Sequence, residues 1–424
     1  MRKTIDWLIE PNCNLACKHC VHESGVNYKP IDLDSMKKIV TNLKISGIKN
    51  IVFSALEPFH NKNFIDLLHF CELMHMDISF VSNGTLLNDE IIQQFPKKNV
   101  KSIAISLEGF TEEINDDIRG SGTFQQSIRS IIKINELFRK HGMHSPLVVQ
   151  TCINPYNIES ICNSFDDFVQ KNGVEVVSFC RIHPVGNALE HPEYCMSQIE
   201  YMESVECILQ SIHQKEKIRF RDVSIFELLY LNIRYDLELR AKPSKCTALE
   251  GHISILPNGS LCRCSLLVNK KIIDDNHFIL ANDVNLQDLD IEDISYMYPY
   301  LKEGLCEGCY FKDCCKPCLI DYGSDGISKD ILESCWNYYH KLRLVYSDIL
   351  NKKIQAFLND SVLVTDYGNK ILLTDNEFKI MIDSRMDSRI ISCSDSVLWS
   401  LIIHDMIRIS DTKGNLISVH INRL

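Results

Sequence analysis

The run PNCNLACKHC, residues 11–20, places three thiols at spacing Cys-x3-Cys-x2-Cys: Cys13, Cys17 and Cys20. Three is one short of the four ligands of a structural zinc site and odd for a disulfide framework. Thiolates also hold iron–sulfur clusters. Three of them can bind three irons of a four-iron cluster and leave the fourth open to a small molecule. A second concentration lies between Cys246 and Cys335, where nine of the 19 cysteines fall. The other seven are scattered singly and read as small buried apolar residues. In a reducing compartment the clusters mean metal ligands rather than disulfides.

Bulk properties narrow the class. The formal net charge of -11 argues against a broad nucleic-acid footprint, which needs a basic face. Hydrophobic content of 45% with 24% charged residues suits an ordinary globular chain. No apolar run approaches a membrane span, and the run after the two cations of MRKTIDWLIEP is too short for a signal-peptide core. The chain reads as cytoplasmic, with no nucleic-acid and no membrane partner.

The elements that must position the thiols are legible as an alternation. TIDWLIE (4–10), NIVFS (50–54), ISFVSNG (78–84), SIAISLEG (102–109), LVVQTCI (147–153) and VEVVSFC (174–180) read as strands. Helices are expected over 35–47, 63–74, 123–142 and 158–173. In the first of them Met36, Ile39, Val40 and Leu43 share a face and Gly47 supplies a stop. Strands alternating with helices imply an α/β fold with a parallel sheet, here a partial (β/α)6 TIM-like barrel. The working face of such a barrel is the C-terminal end of its strands, and the unusual motifs fall there: PNCNLACKHC, SALEP (54–58), SNG (82–84), SLEG (106–109) and RIHPVGNA (181–188). Four regions follow: a core barrel over 1–190, a helical connector over 191–245, a cysteine-rich domain over 246–340 and a small β-rich C-terminal region over 345–424. LPNGSLC (256–262) reads as a hairpin turning at Asn258-Gly259.

These motifs together resemble the radical S-adenosylmethionine (SAM) superfamily, over roughly residues 4–190. The resemblance implies a SAM-binding [4Fe-4S] cluster on Cys13, Cys17 and Cys20, with His19 where the family usually has an aromatic ring. It further implies reductive cleavage of SAM to a 5′-deoxyadenosyl radical. SALEP stands where the family has Gly-Gly-Glu-Pro: Glu57 and Pro58 are kept, while Ala55 and Leu56 replace both glycines. Ser82 and Asn83 match a turn near SAM. Ser106 matches the Ser of a Ser-Leu-Asp-Gly strand end, in which Glu108 replaces the Asp. IRGSGTF (118–124), with Arg119, resembles the Arg-Gly-x-Gly-x-Phe element of peptide-modifying members. Arg181, Pro184, Gly186 and Ala188 match an Arg-x-x-Pro-x-Gly-x-Ala element.

CEGCYFKDCCKPC resembles the SPASM domain, which carries one or two auxiliary [4Fe-4S] clusters. By that resemblance Cys306, Cys309, Cys315 and Cys335 serve one cluster, and Cys246, Cys264 and Cys318 the other. Cys314 competes with Cys315, and Cys262 with Cys264; the second cluster has an open iron or is closed by Cys262. One or two structural zincs are the alternative use of the same spacing. SPASM-bearing relatives mostly modify peptides. The implied function is therefore maturation of a ribosomally made peptide, by a thioether or carbon–carbon crosslink, with a reductant such as ferredoxin or flavodoxin. The alternatives are a peptide epimerase, a formylglycine-forming sulfatase-maturase type, and an inactive metal-binding module that binds peptides. An epimerase needs a thiol hydrogen donor, for which Cys152 and Cys180 at the ends of strands five and six are candidates. About a dozen residues precede Cys13, so no separate N-terminal leader-binding domain is expected. The β-rich tail offers a sheet edge to a leader or caps the cysteine-rich domain.

Overall fold

The computed structural model describes residues 4–22, 28–144, 146–235, 237, 253–265 and 330–341, with short strand segments at 322–323 and 326–327 and between 363 and 417. The expected ligands Cys246, Cys306, Cys309, Cys315 and Cys318, and the competing Cys314, lie outside the described residues.

Two compact units divide the chain. The first comprises Met1–Asp222, Cys246–Pro299 and Leu319–Gly326; the second comprises Val223–Lys245, Tyr300–Cys318 and Ile327–Leu424. The first unit is an α/β sheet fold. Its strands are β1 (Thr4–Trp7), β2 (Asn50–Phe53), β3 (Asp77–Ser82), β4 (Val100–Ser106), β5 (Leu147–Ile153), β6 (Val176–Arg181) and β7 (Ile218–Phe220). Each pairs in parallel with the next, as in a partial barrel. Short parallel strand β8 (Ser254–Ile255) extends the sheet beyond β1, and β9 (Leu261–Cys262) turns back against it. That hairpin is the one expected from Asn258-Gly259: Gly259 sits at φ +82° and donates its N–H to the Leu256 carbonyl at 2.8 Å.

The helices between strands are α1 (Leu33–Ile45), α2 (Phe64–Leu73), α3 (Asp89–Gln93), α4 (Glu112–Arg119), α5 (Thr123–His141) and α6 (Ile158–Asn172). Helix α1 starts two residues before the expected 35 because Asp32 caps it, accepting the Ser35 N–H at 2.8 Å. Met36, Ile39, Val40 and Leu43 are its buried face, as the spacing predicts. Beneath β2 and β3 the core is aromatic: Phe59, Phe64, Phe80 and Phe95 meet mostly edge to face at 4.9–6.1 Å, a favoured geometry. In the stretch read as a helical connector, α7 (Gln198–Ser211) is helical, but β7 adds a strand to the sheet. Three residues are too few for periodicity to reveal.

In the second unit α8 (Ile225–Tyr235) and a helix over residues 330–341 share a polar tie. Ser334 Oγ donates to the buried Glu227 at 2.6 Å, and the Tyr230 and Tyr338 rings meet at 5.2 Å. The C-terminal strand segments pair as three antiparallel hairpins, the longest joining Lys379–Ser384 to Asp387–Ser392.

Candidate functional site

The three-cysteine loop leaves β1 and is tied to three other strand ends. Asn83, after β3, donates from its amide to Asn14 at 2.9 Å and to Cys13 Sγ at 3.7 Å. Leu15 N–H donates to the same sulfur at 3.4 Å. Lys18 donates its N–H to the Ile118 carbonyl at 3.1 Å and its ammonium to Asp117 at 2.8 Å and Tyr194 at 3.0 Å. After β6, Ala188 N–H donates to the Cys20 carbonyl at 3.2 Å. Gly186 lies at φ +61°, and a Cβ there would come within 2.6 Å of the Val21 carbonyl carbon. The Gly186 and Ala188 of the sequence motif therefore dock the cysteine loop.

Burial raises the pKa of all three thiols, that of Cys20 to about 11; Cys17 and Cys13 push Cys20 up further. The thiols are thus close enough to repel as thiolates, the form that binds metal. The described cysteines form no disulfide.

Glu57 caps the short turn Pro58–His60, accepting the Phe59 N–H at 3.0 Å. The same carboxylate closes the end of β3: Ser82 Oγ donates to it at 2.9 Å and Asn83 N–H at 2.7 Å. The structure thus joins three sequence-predicted residues, Glu57, Ser82 and Asn83, and ties them to Cys13 through Asn83. All donors to Glu57 are neutral. Burial lifts its pKa to about 7 against those hydrogen bonds. Ala55 and Leu56 sit at φ +69° and +49°. This is the left-handed region that favours glycine, which gives the physical reason for a Gly-Gly pair at this elbow.

A second group forms around Glu108, at the end of β4. Arg119 Nη1 donates to it at 2.8 Å, His19 Nε2 lies at 3.1 Å, and the Cys152 N–H donates at 2.7 Å. Burial alone would raise the Glu108 pKa; His19 and Arg119 outweigh it and hold the carboxyl below its usual range. Arg119 reaches this place through the IRGSGTF turn. Gly120 and Gly122 adopt φ +110° and +78°, and Asp116 accepts the Gly122 and Phe124 N–H groups, the latter at 2.8 Å. His19, Glu108 and Cys152 offer atoms within 4.8 Å of one another, but Arg119 already supplies the positive charge there.

Cys152 and Cys180 are paired residues of β5 and β6, with sulfurs 3.4 Å apart. Ser106 ends β4, partly exposed. Arg181 ends β6 in a different network. Its N–H donates to Asp222 at 3.1 Å and its guanidinium to the Met196 carbonyl at 3.5 Å. His183 lies 3.6 Å from Asp222; it and Arg181 hold the Asp222 carboxyl at about 2 against burial. Of the expected auxiliary ligands, Cys264 follows the β8–β9 hairpin in the first unit and Cys335 lies on the 330–341 helix of the second. Cys262 is buried beside Leu8 and Leu256.

The donor set fits an iron–sulfur cluster with an open iron: three thiols on one anchored loop, two N–H groups or amides already aimed at Cys13 Sγ. Beside them, among the described residues, His19 Nδ1 and Arg119 Nε are buried without a hydrogen-bond partner. Buried polar groups in native proteins are nearly always satisfied, and a polar ligand of the cluster would satisfy these.

Comparison with known proteins decides the matter for this region. Residues 7–166 match the Radical SAM superfamily. This part of the chain is a radical SAM domain. Mycofactocin maturase MftC of Mycobacterium tuberculosis is 30% identical over 129 residues, 30% of this chain and 33% of that protein. An AdoMet-dependent heme synthase of Methanosarcina barkeri is 25% identical over 167 residues, 39% of this chain and 46% of that protein. The chain thus spans about a third to a half of the length of these curated relatives. Among solved structures, anSMEcpe with bound AdoMet and Cp18Cys peptide superposes with TM-score 0.60 at 16% identity, covering 82% of this chain and 99% of that one. Streptococcus suis SuiB bound to precursor peptide SuiA gives TM-score 0.56 at 15% identity, covering 70% and 66%. These structures share the fold of the radical SAM domain. No helix among the described residues is long and apolar enough to cross a membrane.

Beyond the predicted residues, the site depends on Glu108, Asp116, Asn157 and Asp222. Asn157 donates to the Glu108 and Cys152 carbonyls, both at 2.8 Å. Only Glu108 had a sequence cue, its place in SLEG at a strand end.

Proposed function

We propose that the chain is a radical SAM enzyme that modifies a peptide. The observation that carries this is convergence at one sheet edge: the three-thiol loop, the Glu57–Ser82–Asn83 turn and the Glu108–Arg119–His19 group lie at the ends of four successive strands, β1 to β4. Cys13, Cys17 and Cys20 would hold a [4Fe-4S] cluster, and Ala55, Leu56, Glu57, Ser82, Asn83 and Ser106 would line the place of SAM. When bound, the group supplies reductive cleavage of SAM to a carbon radical that abstracts hydrogen. The protein's own part is to fix the loop through Asn83 and Lys18, to hold an anion at Glu108, and to exclude water with buried side chains. The cofactor carries the hard chemistry and the protein orients it.

Peptide as substrate is supported by the names of similar proteins: a maturase, and two structures with bound peptide. Crosslink formation in a ribosomally made peptide is the leading reaction, with Cys246, Cys264, Cys306, Cys309, Cys315, Cys318 and Cys335 as auxiliary-cluster ligands and a ferredoxin or flavodoxin as reductant. The test is 5′-deoxyadenosine release by the anaerobically reconstituted chain with SAM and a strong reductant, against Cys17→Ala. Release by the wild type alone supports the reading; iron-replete wild type that releases none, with or without candidate peptides, ends it.

Peptide epimerisation is a second reading, favoured by the 3.4 Å contact of Cys152 with Cys180 at the same edge. Burial and that contact keep Cys152 protonated, as a hydrogen-atom donor requires. Turnover in heavy water would then place one solvent deuterium on the modified residue, and a product free of deuterium rejects it.

A further inference from the structure

Among the described residues, two thiol pairs lie outside the three-cysteine loop. Cys162 and Cys207 meet at 3.8 Å on α6 and α7, where Cys207 is exposed. Cys152 and Cys180 meet at 3.4 Å inside the fold, and this second pair is placed to affect the site. Its residues are direct Cα partners on adjacent strands. Neighbouring strands lie about 4.8 Å apart, within the Cα separation of about 4.4–6.8 Å that a disulfide spans. The Cys152 peptide N–H is held by Glu108, and its sulfur lies within 4.8 Å of ligand atoms of Glu108 and His19. Finally, Cys152 is partly exposed while Cys180 is buried. That is the arrangement of an entry thiol backed by a resolving thiol.

We propose that Cys152 and Cys180 are a reversible thiol–disulfide couple, and that its oxidation by a low-molecular-weight disulfide switches off the radical SAM site. In the first exchange the Cys152 sulfur attacks a small disulfide RS–SR. A Cys152–SR bond forms, the RS–SR bond breaks, and one RSH leaves carrying the Cys152 proton. In the second exchange the Cys180 sulfur attacks Cys152; the Cys152–Cys180 bond forms and a second RSH leaves. The protein loses two electrons and two protons, and the small disulfide gains both. A dithiol reverses the sequence. Bond formation shortens the contact from 3.4 Å to about 2.05 Å. That pulls the Cys152 sulfur, which lies within 4.8 Å of ligand atoms of Glu108 and His19, toward Cys180 on β6. Displacement on this scale at a catalytic site costs on the order of tenfold to a hundredfold in rate. The Cys180 contact, then burial, raise the Cys152 pKa, which lowers the fraction present as the attacking thiolate.

The loss of activity rests on the radical SAM reading; the couple itself does not. The full chain, with clusters rebuilt anaerobically, is equilibrated in glutathione buffers from fully reduced to fully oxidised, quenched by alkylation and digested. A peptide pair linking Cys152 to Cys180, lighter by two hydrogens than the dithiol form, should grow in with the oxidised fraction and vanish with excess dithiothreitol. In Cys180→Ser the reaction should stop at a glutathione adduct on Cys152, and Cys180→Ala serves if the serine variant fails to fold. In the same wild-type samples, 5′-deoxyadenosine release should fall at least about tenfold on oxidation. Separate alkylation of both cysteines across the whole range overturns the couple. A linked pair with undiminished release overturns the switch. No release even from the fully reduced chain fails the radical SAM reading instead, and the peptide map still decides the couple.

Discussion

Two buried glutamates follow β2 and β4 of the same sheet, one strand apart, and behave in opposite ways. Glu57 is 0% exposed and Glu108 2% exposed, so desolvation acts on both. Glu57 receives only neutral donors, from Phe59, Ser82 and Asn83, and its pKa rises to about 7. Glu108 receives Arg119 and His19, and its pKa falls. Burial sets the size of the electrostatic problem, and the charge of the partner sets its sign. The division suits a site that must accommodate charges of both kinds. The Glu57 pocket closes a turn without fixing a charge, while the Glu108 pocket holds an anion whatever is bound beside it.

The comparison is broken most severely by removing the charge that Arg119 balances. Glu108→Gln leaves a buried guanidinium without a counter-ion, a change that costs about 3–5 kcal/mol. Denaturant unfolding of the full chain should show a loss in that range. Arg119→Met added to Glu108→Gln should recover part of it, because an uncharged pair of similar size needs no counter-charge. A loss under about 1 kcal/mol would mean that the pair is solvated and the contrast with Glu57 is false.

Glu57 sharpens the contrast through pH. An unfolded glutamate ionises near 4.5, whereas folded Glu57 keeps its proton to about 7. Across that window the folded chain binds more protons than the unfolded chain, so this group's contribution to stability falls as pH rises. The full effect is roughly 3 kcal/mol. Glu57→Gln abolishes it, at a fixed cost of about 1–3 kcal/mol because an amide N–H group then faces backbone N–H donors. The wild-type minus variant difference in unfolding free energy should therefore shrink between pH 5 and pH 7. A difference that stays constant, or widens, would show Glu57 to be ionised throughout.

Much of this arrangement was legible in the sequence, because strand ends concentrate on one edge. β5 spans the expected 147–153 in full, and Glu57, Ser82 and Asn83 meet as ordered strand-end motifs suggest. His19, where the family resemblance led to the expectation of an aromatic ring, contacts Glu108. Spacing did not reveal the partners of Glu108. Arg119 arrives by way of two glycines at positive φ and an Asp116 cap, and α4, which carries it, was not expected. Its eight residues carry a stripe of only two apolar side chains, Ile114 and Ile118, too short for periodicity to announce a helix. Arg181, expected beside SAM from the family resemblance, donates its N–H to Asp222 and its guanidinium to the Met196 carbonyl. Asp222 comes from a loop after β7, the strand whose shortness hid it.

The smallest effect concerns the elbow that aims Glu57. Leu56 at φ +49° bears a left-handed cost of about 1–2 kcal/mol. Leu56→Gly removes that cost but adds unfolded-state freedom worth about 0.4–1 kcal/mol. Loss of the half-buried Leu56 side chain takes back part of this, so the net gain should be no more than about 1 kcal/mol in unfolding free energy. Ala55 has the same backbone strain, but its methyl packs on the cluster of Leu8, Leu256 and Cys262. Ala55→Gly also loses that packing, about 0.8 kcal/mol for a buried carbon, and should come out near zero. The order of the two variants matters more than either value. If Ala55→Gly is the more stabilising, the methyl contributes nothing. The hairpin that carries Cys262 and leads to Cys264 is then not braced by the elbow. If Leu56→Gly leads, strain at 56 is uncompensated, and packing at 55 is what retains a side chain where a glycine would fit more easily.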